Sequence, residues 1–185
     1  MANDAGAVLW FTGLPCSGKS TLAEFVALEL KRRGCDVEIL DGDLIRRHLG
    51  PDLGFSKEDR DENVRRVGFV CHLLARHGTI ALAALVSPYR AARQEVRAQG
   101  GQFVEVYVKA SPTTCRRRDV KGMYKRAARG EIRNFTGVDD PYEPPLDAEI
   151  EVDTETEGPV GSAAQIIVRL EQLGVIASQP ALAAS

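Results

Sequence analysis

Short apolar runs alternate with stretches of helical period along most of the chain. Val8-Leu9-Trp10-Phe11 is continuous and apolar, and Leu22, Phe25, Val26 and Leu30 recur near helical spacing within residues 20–33 before Gly34 stops the pattern. Val37-Glu38-Ile39-Leu40 reads as the next strand, closed by Asp41-Gly42-Asp43, so a βαβ unit opens the chain. A brief helix over 44–49 ends at Gly50-Pro51. Ser56 then has the character of an N-cap, with Asp59 three residues on in the capping-box position, for a long helix through Val64, Val67, Val70, Cys71 and Leu74 to Gly78.

Residues 79–86 are apolar without alternation, the pattern of a central parallel strand covered on both faces, and Ser87-Pro88-Tyr89-Arg90 stands at its carboxyl end. A helix over 91–99, a strand over 103–108 and a short helix from Pro112 toward Arg118 follow. An edge strand over 149–152, a closing helix over 162–173 and a loose tail from 177 complete the pattern. Neither repeats nor a linker able to divide two domains is present, so the prediction is one α/β domain over 1–176 and a flexible tail over 177–185.

The chemistry enters between the first strand and first helix, where Gly13, Leu14, Pro15, Cys16, Ser17, Gly18, Lys19, Ser20 and Thr21 spell GLPCSGKST. This is the nucleotide-binding pattern G-x-x-x-x-G-K-[ST] in the strand–loop–helix context it requires. Glycines let the backbone turn around phosphates, with amide N–H groups and the positive end of the next helix facing the anion. Lys19 reaches the outer phosphates in such a loop, and the Ser20 hydroxyl completes a Mg²⁺ shell.

Composition narrows the partners. The 185 residues are 44% hydrophobic and 27% charged, as in an ordinary globule, and a formal charge of −2 offers no global attraction to nucleic acid or an acidic membrane. Cys16, Cys35, Cys71 and Cys115 form no close pair, which argues against a zinc knuckle or a disulfide scaffold and for a reducing, cytoplasmic setting. His48, His72 and His77 lack metal-ligand spacing. No secretory leader or bilayer-spanning stretch is expected.

Anions must therefore be held locally. Asp41 and Asp43 lie one βα unit after the phosphate loop; either could be a turn former, and the placement favours a functional Asp43 more than a functional Asp41. Arg46, Arg60, Arg65 and Arg66, with Asn63, suggest a phosphate or sulfate grip, although spacing does not choose its members. Residues 116–133 hold eight Lys or Arg against Asp119 and Glu131, with Gly122 and Gly130 as hinges. That segment reads as a mobile lid over triphosphate, extending over about 116–138, that excludes water on closing. The aromatics do not interleave with these cations, which disfavours a nucleic-acid groove.

The ordered set GLPCSGKST, LDGDLIR from Leu40, GFSKEDRDENVRR from Gly54, VSPYR ending at Arg90 and DVKGMYKRAARGEIRNFTGVDDPYEPP from Asp119 resembles the adenylylsulfate kinases. The resemblance implies a three-layer α/β/α P-loop kinase fold with a mostly parallel sheet. It also implies an enzyme that transfers the γ-phosphoryl of ATP to the 3′-hydroxyl of adenosine 5′-phosphosulfate with Mg²⁺, giving 3′-phosphoadenylylsulfate for sulfate assimilation. By matching motif, Lys19, Asp43 and Ser87 are the catalytic set, Ser87 being the position traditionally labelled a phosphoserine; Ser20 and Asp43 hold the metal. Residues 13–21 and Arg116 meet the nucleotide. Asp43, Arg46, Phe55, Arg60, Asn63, Val86, Ser87, Lys121 and Phe135 surround the acceptor. A homodimer and an association with ATP sulfurylase are further implications.

Two positions depart from the family pattern. Leu44 stands where many relatives have Asn, and the lid run Lys125-Arg126-Ala127-Ala128-Arg129 carries its arginine one position late. Direct in-line transfer, which needs only a phosphate loop, Mg²⁺ and a closing lid, is preferred over a covalent intermediate. The rival readings are another small-molecule kinase, acting on a nucleoside or shikimate, and a catalytically silent nucleotide-binding regulator. Intact Lys19, Ser20 and Asp43 weigh against silence, and the set Phe55, Arg60 and Asn63 against the other kinases.

Overall fold

A computed structural model describes residues 6–178. Five parallel strands form one sheet: β1 (Ala7–Thr12), β2 (Val37–Asp41), β3 (Ile80–Ala84), β4 (Gln102–Lys109) and β5 (Ile150–Asp153), in the order β2-β3-β1-β4-β5. All six residues of β1 are buried, as the continuous apolar run requires of a central strand. Its register sets Leu9 beside Leu82 of β3 and Val104 of β4.

The pleat divides the core in two. Leu9, Phe11, Leu82 and Val104 point to one face, where Leu22, Val26 and Leu30 of α1 (Lys19–Arg32) meet Ile166 and Leu170 of α7 (Pro159–Gln172). Val8, Trp10, Ala81 and Ala83 point to the other, against Val64 and Val67 of α3 (Lys57–Ala75) and Val96 of α4 (Arg90–Arg97). The expected three-layer architecture is thus present, and every strand pairing is parallel. The helices α2 (Gly42–Leu49), α5 (Pro112–Arg118) and α6 (Met123–Ala128) lie in the connections.

Several boundaries differ from the sequence reading for local reasons. The strand expected over 79–86 runs over Ile80–Ala84; the Leu85 N–H makes the last contact to β1, at the Phe11 carbonyl, before Pro88 and the positive φ of Ser87 take the chain out of the sheet. The last helix starts at Pro159 rather than 162, since proline suits the first helical position after Gly158. Ser56 and Asp59 form the full reciprocal capping box expected of them. The lid contains α6, a helix too short to leave a periodic signature. The tail expected over 177–185 lies outside the described residues from 179 onward.

Candidate active site

The phosphate loop leaves β1 at Thr12 and enters α1 at Lys19. Gly13 has φ 154°, and a Cβ there would lie 2.4 Å from the Val108 carbonyl oxygen, so the loop can hug the sheet only without a side chain. Helix α1 begins after Gly18, with no side-chain cap and no acidic residue in its first turn. By contrast, α3 is closed by its capping box and α2 by Asp41. The first amides of α1 are therefore left to an anion, in the positive field of the helix end.

Lys19 is 8% exposed, and its ammonium donates to the carbonyls of Gly13 (3.0 Å) and Leu14 (2.7 Å). Burial pushes its pKa down to about 8. The Ser20 hydroxyl donates to Asp41 Oδ2 at 2.9 Å, while Asp41 Oδ1 accepts from the Asp43 N–H at 3.0 Å. Asp41, not Asp43, thus stands beside Ser20, because the capping geometry of α2 turns Asp41 toward α1. Asp43 instead forms an ion pair with Lys121 of the lid. A hydroxyl and a carboxylate oxygen side by side suit a hard divalent cation that takes its other ligands from phosphate and water.

A cavity of about 740 Å³ runs from this loop across the carboxyl ends of the strands. Pro15, Cys16, Gly18, Lys19, Ser20 and Thr21 line its phosphate side, while Asp43, Arg46, Phe55, Arg60 and Asn63 face them. Val86 and Ser87 form a wall, and Lys121 and Phe135 come from the lid. Gly13, Leu14 and Ser17 stand behind that lining, the first two holding Lys19 by their carbonyls. Arg116 is exposed on α5 and outside the cavity lining, whereas Arg118 of the same helix lines it. A more open hollow of about 590 Å³ over β5 and α7 contains none of the motif residues.

The four arginines that spacing could not separate divide in two. Arg65 pairs with Glu62 and Glu95, and Arg66 with Asp52 and Glu62, all on the surface. Arg46 and Arg60 enter the cavity, their guanidinium groups 4.6 Å and 5.7 Å from the centre of the Phe55 ring. Burial, with the Arg60 charge second, holds the Arg46 pKa below the usual arginine range. Arg60 also donates to Thr136 Oγ1 at 3.1 Å and to the Asn134 carbonyl, and lies 3.6 Å from Asp140. Asn63 is 6% exposed, and its Oδ1 has no hydrogen-bond partner among the described residues, an acceptor that a ligand donor would satisfy.

Ser87 is 4% exposed, and its hydroxyl is fully engaged: it accepts from Trp10 Nε1 and donates to Thr12 Oγ1, both at 3.0 Å. Thr12 passes its own proton to the Val86 carbonyl at 2.9 Å, which leaves Tyr142 as the donor across the 3.0 Å contact between their hydroxyls. Burial raises the Tyr142 pKa and keeps the phenol protonated. Ser87 thus reaches the cavity as a wall rather than as a free nucleophile.

The lid follows α5. Asp119 accepts from the N–H groups of Tyr124 (2.9 Å) and Lys125 (3.0 Å), fixing the start of α6, while Gly122 and Gly130 at its two ends have left-handed φ of 65° and 73°. Tyr124 donates to the Pro15 carbonyl at 3.2 Å and meets Phe135 edge-on, ring centres 5.0 Å apart. Among the described residues, the non-glycine positions with positive φ are Cys16, Ser87, Asp119 and Asn134, and each lines this cavity or adjoins its lining. Backbone strain concentrates where the phosphate loop, the wall and the lid converge.

Arg118 braces the loop, donating to the Ser17 carbonyl (3.2 Å) and to Thr154 Oγ1 (2.9 Å) and O (2.6 Å). Sequence reasoning missed Arg118, Thr154 and Tyr142, and it gave Asp41 less weight than Asp43. The motif did include Asp41; nothing in the acidic stretch after residue 139 marks Thr154. His72 bonds the Val96 carbonyl at 2.9 Å, and no acidic, Cys and His group among the described residues gathers for a metal.

Fold and site together define a P-loop phosphotransferase of the small-molecule kinase class. The adenylylsulphate kinase family profile matches residues 5–153. An adenylyl-sulfate kinase of Gloeothece citriformis (strain PCC 7424) is 53% identical over 171 residues, 92% of this chain and 97% of that protein. A probable bifunctional SAT/APS kinase 2 of Sorangium cellulosum (strain So ce56) is 52% identical over 93% of this chain and 30% of its own length. Among solved structures, the Mycobacterium tuberculosis APS kinase CysC in complex with AMPPNP and APS superposes with a TM-score of 0.86 at 40% identity, covering 90% of this chain and 98% of that one. The chain belongs to the adenylylsulfate kinase family.

Proposed function

We infer that this protein transfers the γ-phosphoryl group of ATP to the 3′-hydroxyl of adenosine 5′-phosphosulfate, giving 3′-phosphoadenylylsulfate and ADP. The observation that carries the reading is one continuous cavity with the Lys19 and Ser20 end of a phosphate loop on one side and Arg46, Phe55, Arg60 and Asn63 on the other. Two anionic ligands can meet there end to end. The relative solved with AMPPNP and APS supports that pairing of donor and acceptor.

In this reading the α1 amides and Lys19 grip the donor phosphates, and Arg118 keeps the loop in shape through the Ser17 carbonyl. Ser20 and Asp41 hold Mg²⁺, which supplies charge neutralisation between the phosphates when bound. Arg46 and Arg60 take the phosphosulfate oxyanions through their planar donor forks. Phe55 offers a ring face to the adenine, Asn63 its unpaired oxygen to a donor, and Phe135 covers the acceptor as the lid closes. Asp43, freed from Lys121, orients the acceptor hydroxyl and takes its proton. Ser87 carries no phosphoryl group.

A cytoplasmic setting is supported by four free cysteines, and no described helix is long and apolar enough to cross a membrane. The product's use in sulfate assimilation and the homodimer rest on family membership. Contact with an ATP sulfurylase finds support in the larger bifunctional relative. The test is ADP release from ATP and Mg²⁺ across a panel of acceptors that includes adenylylsulfate, nucleosides and shikimate. Turnover confined to adenylylsulfate is expected; preference for another acceptor overturns the assignment.

A further inference from the structure

Among the described residues, the charged side chain with the least solvent exposure takes no part in the chemistry above. Arg93, on α4, is 2% exposed, and its Nε donates to Glu105 Oε1 at 2.6 Å; Glu105, on β4, is 3% exposed. Burying such a pair costs several kcal/mol of desolvation per ion, and packed apolar side chains usually do as well for stability alone. The rest of the guanidinium does something apolar groups could not. Nη1 donates to the Ser87 carbonyl at 2.6 Å and Nη2 to the Glu143 carbonyl at 2.8 Å.

Those carbonyls belong to different parts of the site. Ser87 is in the cavity wall, with φ 40°, where a residue bearing a Cβ needs support from outside. Glu143 is in the segment that returns from the lid across the sheet edge. That return is laced to the same wall: the Glu143 N–H donates to the Pro88 carbonyl at 2.8 Å, the Arg90 N–H to Glu143 Oε2 at 2.8 Å, and Arg90 Nε to the Pro144 carbonyl at 2.8 Å. The Tyr89 hydroxyl donates to Asp140 at 3.0 Å, and Asp140 is the carboxylate beside Arg60.

We propose that Arg93 is a positioning residue that holds the 86–88 wall and the 140–144 lid return in one register, and so sets acceptor affinity without touching either ligand. The proposal rests on the reading of the cavity as an adenylylsulfate site. The phosphate loop has a brace of its own in Arg118 and Thr154, and the wall reaches it only through the Ser87 and Tyr142 hydroxyls on Thr12, so nucleotide binding should depend on Arg93 less than acceptor binding does.

Arg93→Lys keeps the charge beside Glu105 but cannot span both carbonyls. Its KM for adenylylsulfate should rise about 10-fold or more, the scale of a lost charge-assisted hydrogen bond, with the Kd for an ATP analogue within twofold of the parent. Glu105→Gln leaves both carbonyl contacts and should lower the thermal midpoint with little change in acceptor KM. Arg90→Ala, at a partly exposed position, removes the contact to the Pro144 carbonyl and should raise the acceptor KM about threefold.

A folded Arg93→Lys with parental acceptor KM overturns the proposal, as does equal weakening of both ligands. So does a Glu105→Gln protein whose acceptor KM rises as much as that of Arg93→Lys, because general loss of packing would then account for both. Should Arg93→Lys not fold, unchanged kinetics in Arg90→Ala overturns it. The parent assayed alongside separates the two levels: failure to use adenylylsulfate overturns the functional reading itself, whereas a competent parent with insensitive variants overturns only the role of Arg93.

Discussion

At the scale of single residues, Lys19 and Ser87 make opposite use of burial. Burial lowers the Lys19 pKa to about 8, whereas bound phosphate would favour the charged form. Nucleotide affinity should therefore be flat below pH 8 and fall about tenfold per unit above it, as binding comes to require proton uptake. The same shift acts on folding with a definite sign. Between pH 8 and the ordinary lysine value the folded chain binds fewer protons than the unfolded one, so this group's contribution to stability rises with pH there. Titration of an ATP analogue from pH 7 to 9.5 checks the first statement, and Lys19→Ala should erase the slope while costing roughly 10²-fold or more in turnover. Burial of Ser87 has the opposite meaning, since its hydroxyl is spent on Trp10 and Thr12. Ser87→Ala should lose about 1 kcal/mol of stability and keep measurable kinase activity. Rapid quench with γ-labelled ATP gives the decisive reading: a phosphoserine formed and consumed at the catalytic rate would overturn direct transfer.

At the scale of elements, the clearest parts in the sequence were those whose local chemistry leaves one solution. The run 8–11 could only be a covered strand, GLPCSGKST needed a strand before it and a helix after, and Ser56 with Asp59 marked the entry to α3. What was illegible depends on contacts distant in the chain. Arg118 meets Ser17 and Thr154, Tyr142 meets Thr12, and neither separation leaves a period or a motif. Asp41 and Asp43 share one turn, and only the direction in which α2 leaves it decides which reaches Ser20. Glycines inside helices show the same dependence on neighbours. At Gly68 in α3 a Cβ would fall 2.6 Å from Val96 Cγ2 of α4, while at Gly161 in α7 it meets only Glu157 at 3.5 Å. Gly68→Ala should destabilise by about 1–3 kcal/mol through overpacking, whereas Gly161→Ala should stabilise by roughly 0.5–1 kcal/mol through helix propensity. Urea unfolding of the two proteins separates the signs; stabilisation by Gly68→Ala would show that the α3–α4 contact has slack.

At the scale of the whole molecule, a formal charge of −2 conceals a division, with the cations of 116–133 on the lid and nine acidic residues between 139 and 157. Arg116, Arg117 and Lys125 are exposed on α5 and α6, the helices that carry the lid's cations. Nucleotide association should slow several-fold as ionic strength rises from low to physiological, with dissociation nearly unchanged, a split that stopped-flow mixing resolves. A salt-independent association rate would remove the lid from ligand capture. The position of β1 has a consequence of another kind. Its backbone is paired on both sides and its side chains are covered on both faces, so its amide protons should exchange with deuterium only through global unfolding. Amides of α6, a short helix between two left-handed glycines, should exchange through local opening that leaves the sheet intact. The loop that grips phosphate is thus anchored to the strand expected to exchange slowest and roofed by a helix expected to exchange fast, and ligand should slow deuterium uptake in the roof while leaving that of β1 unchanged.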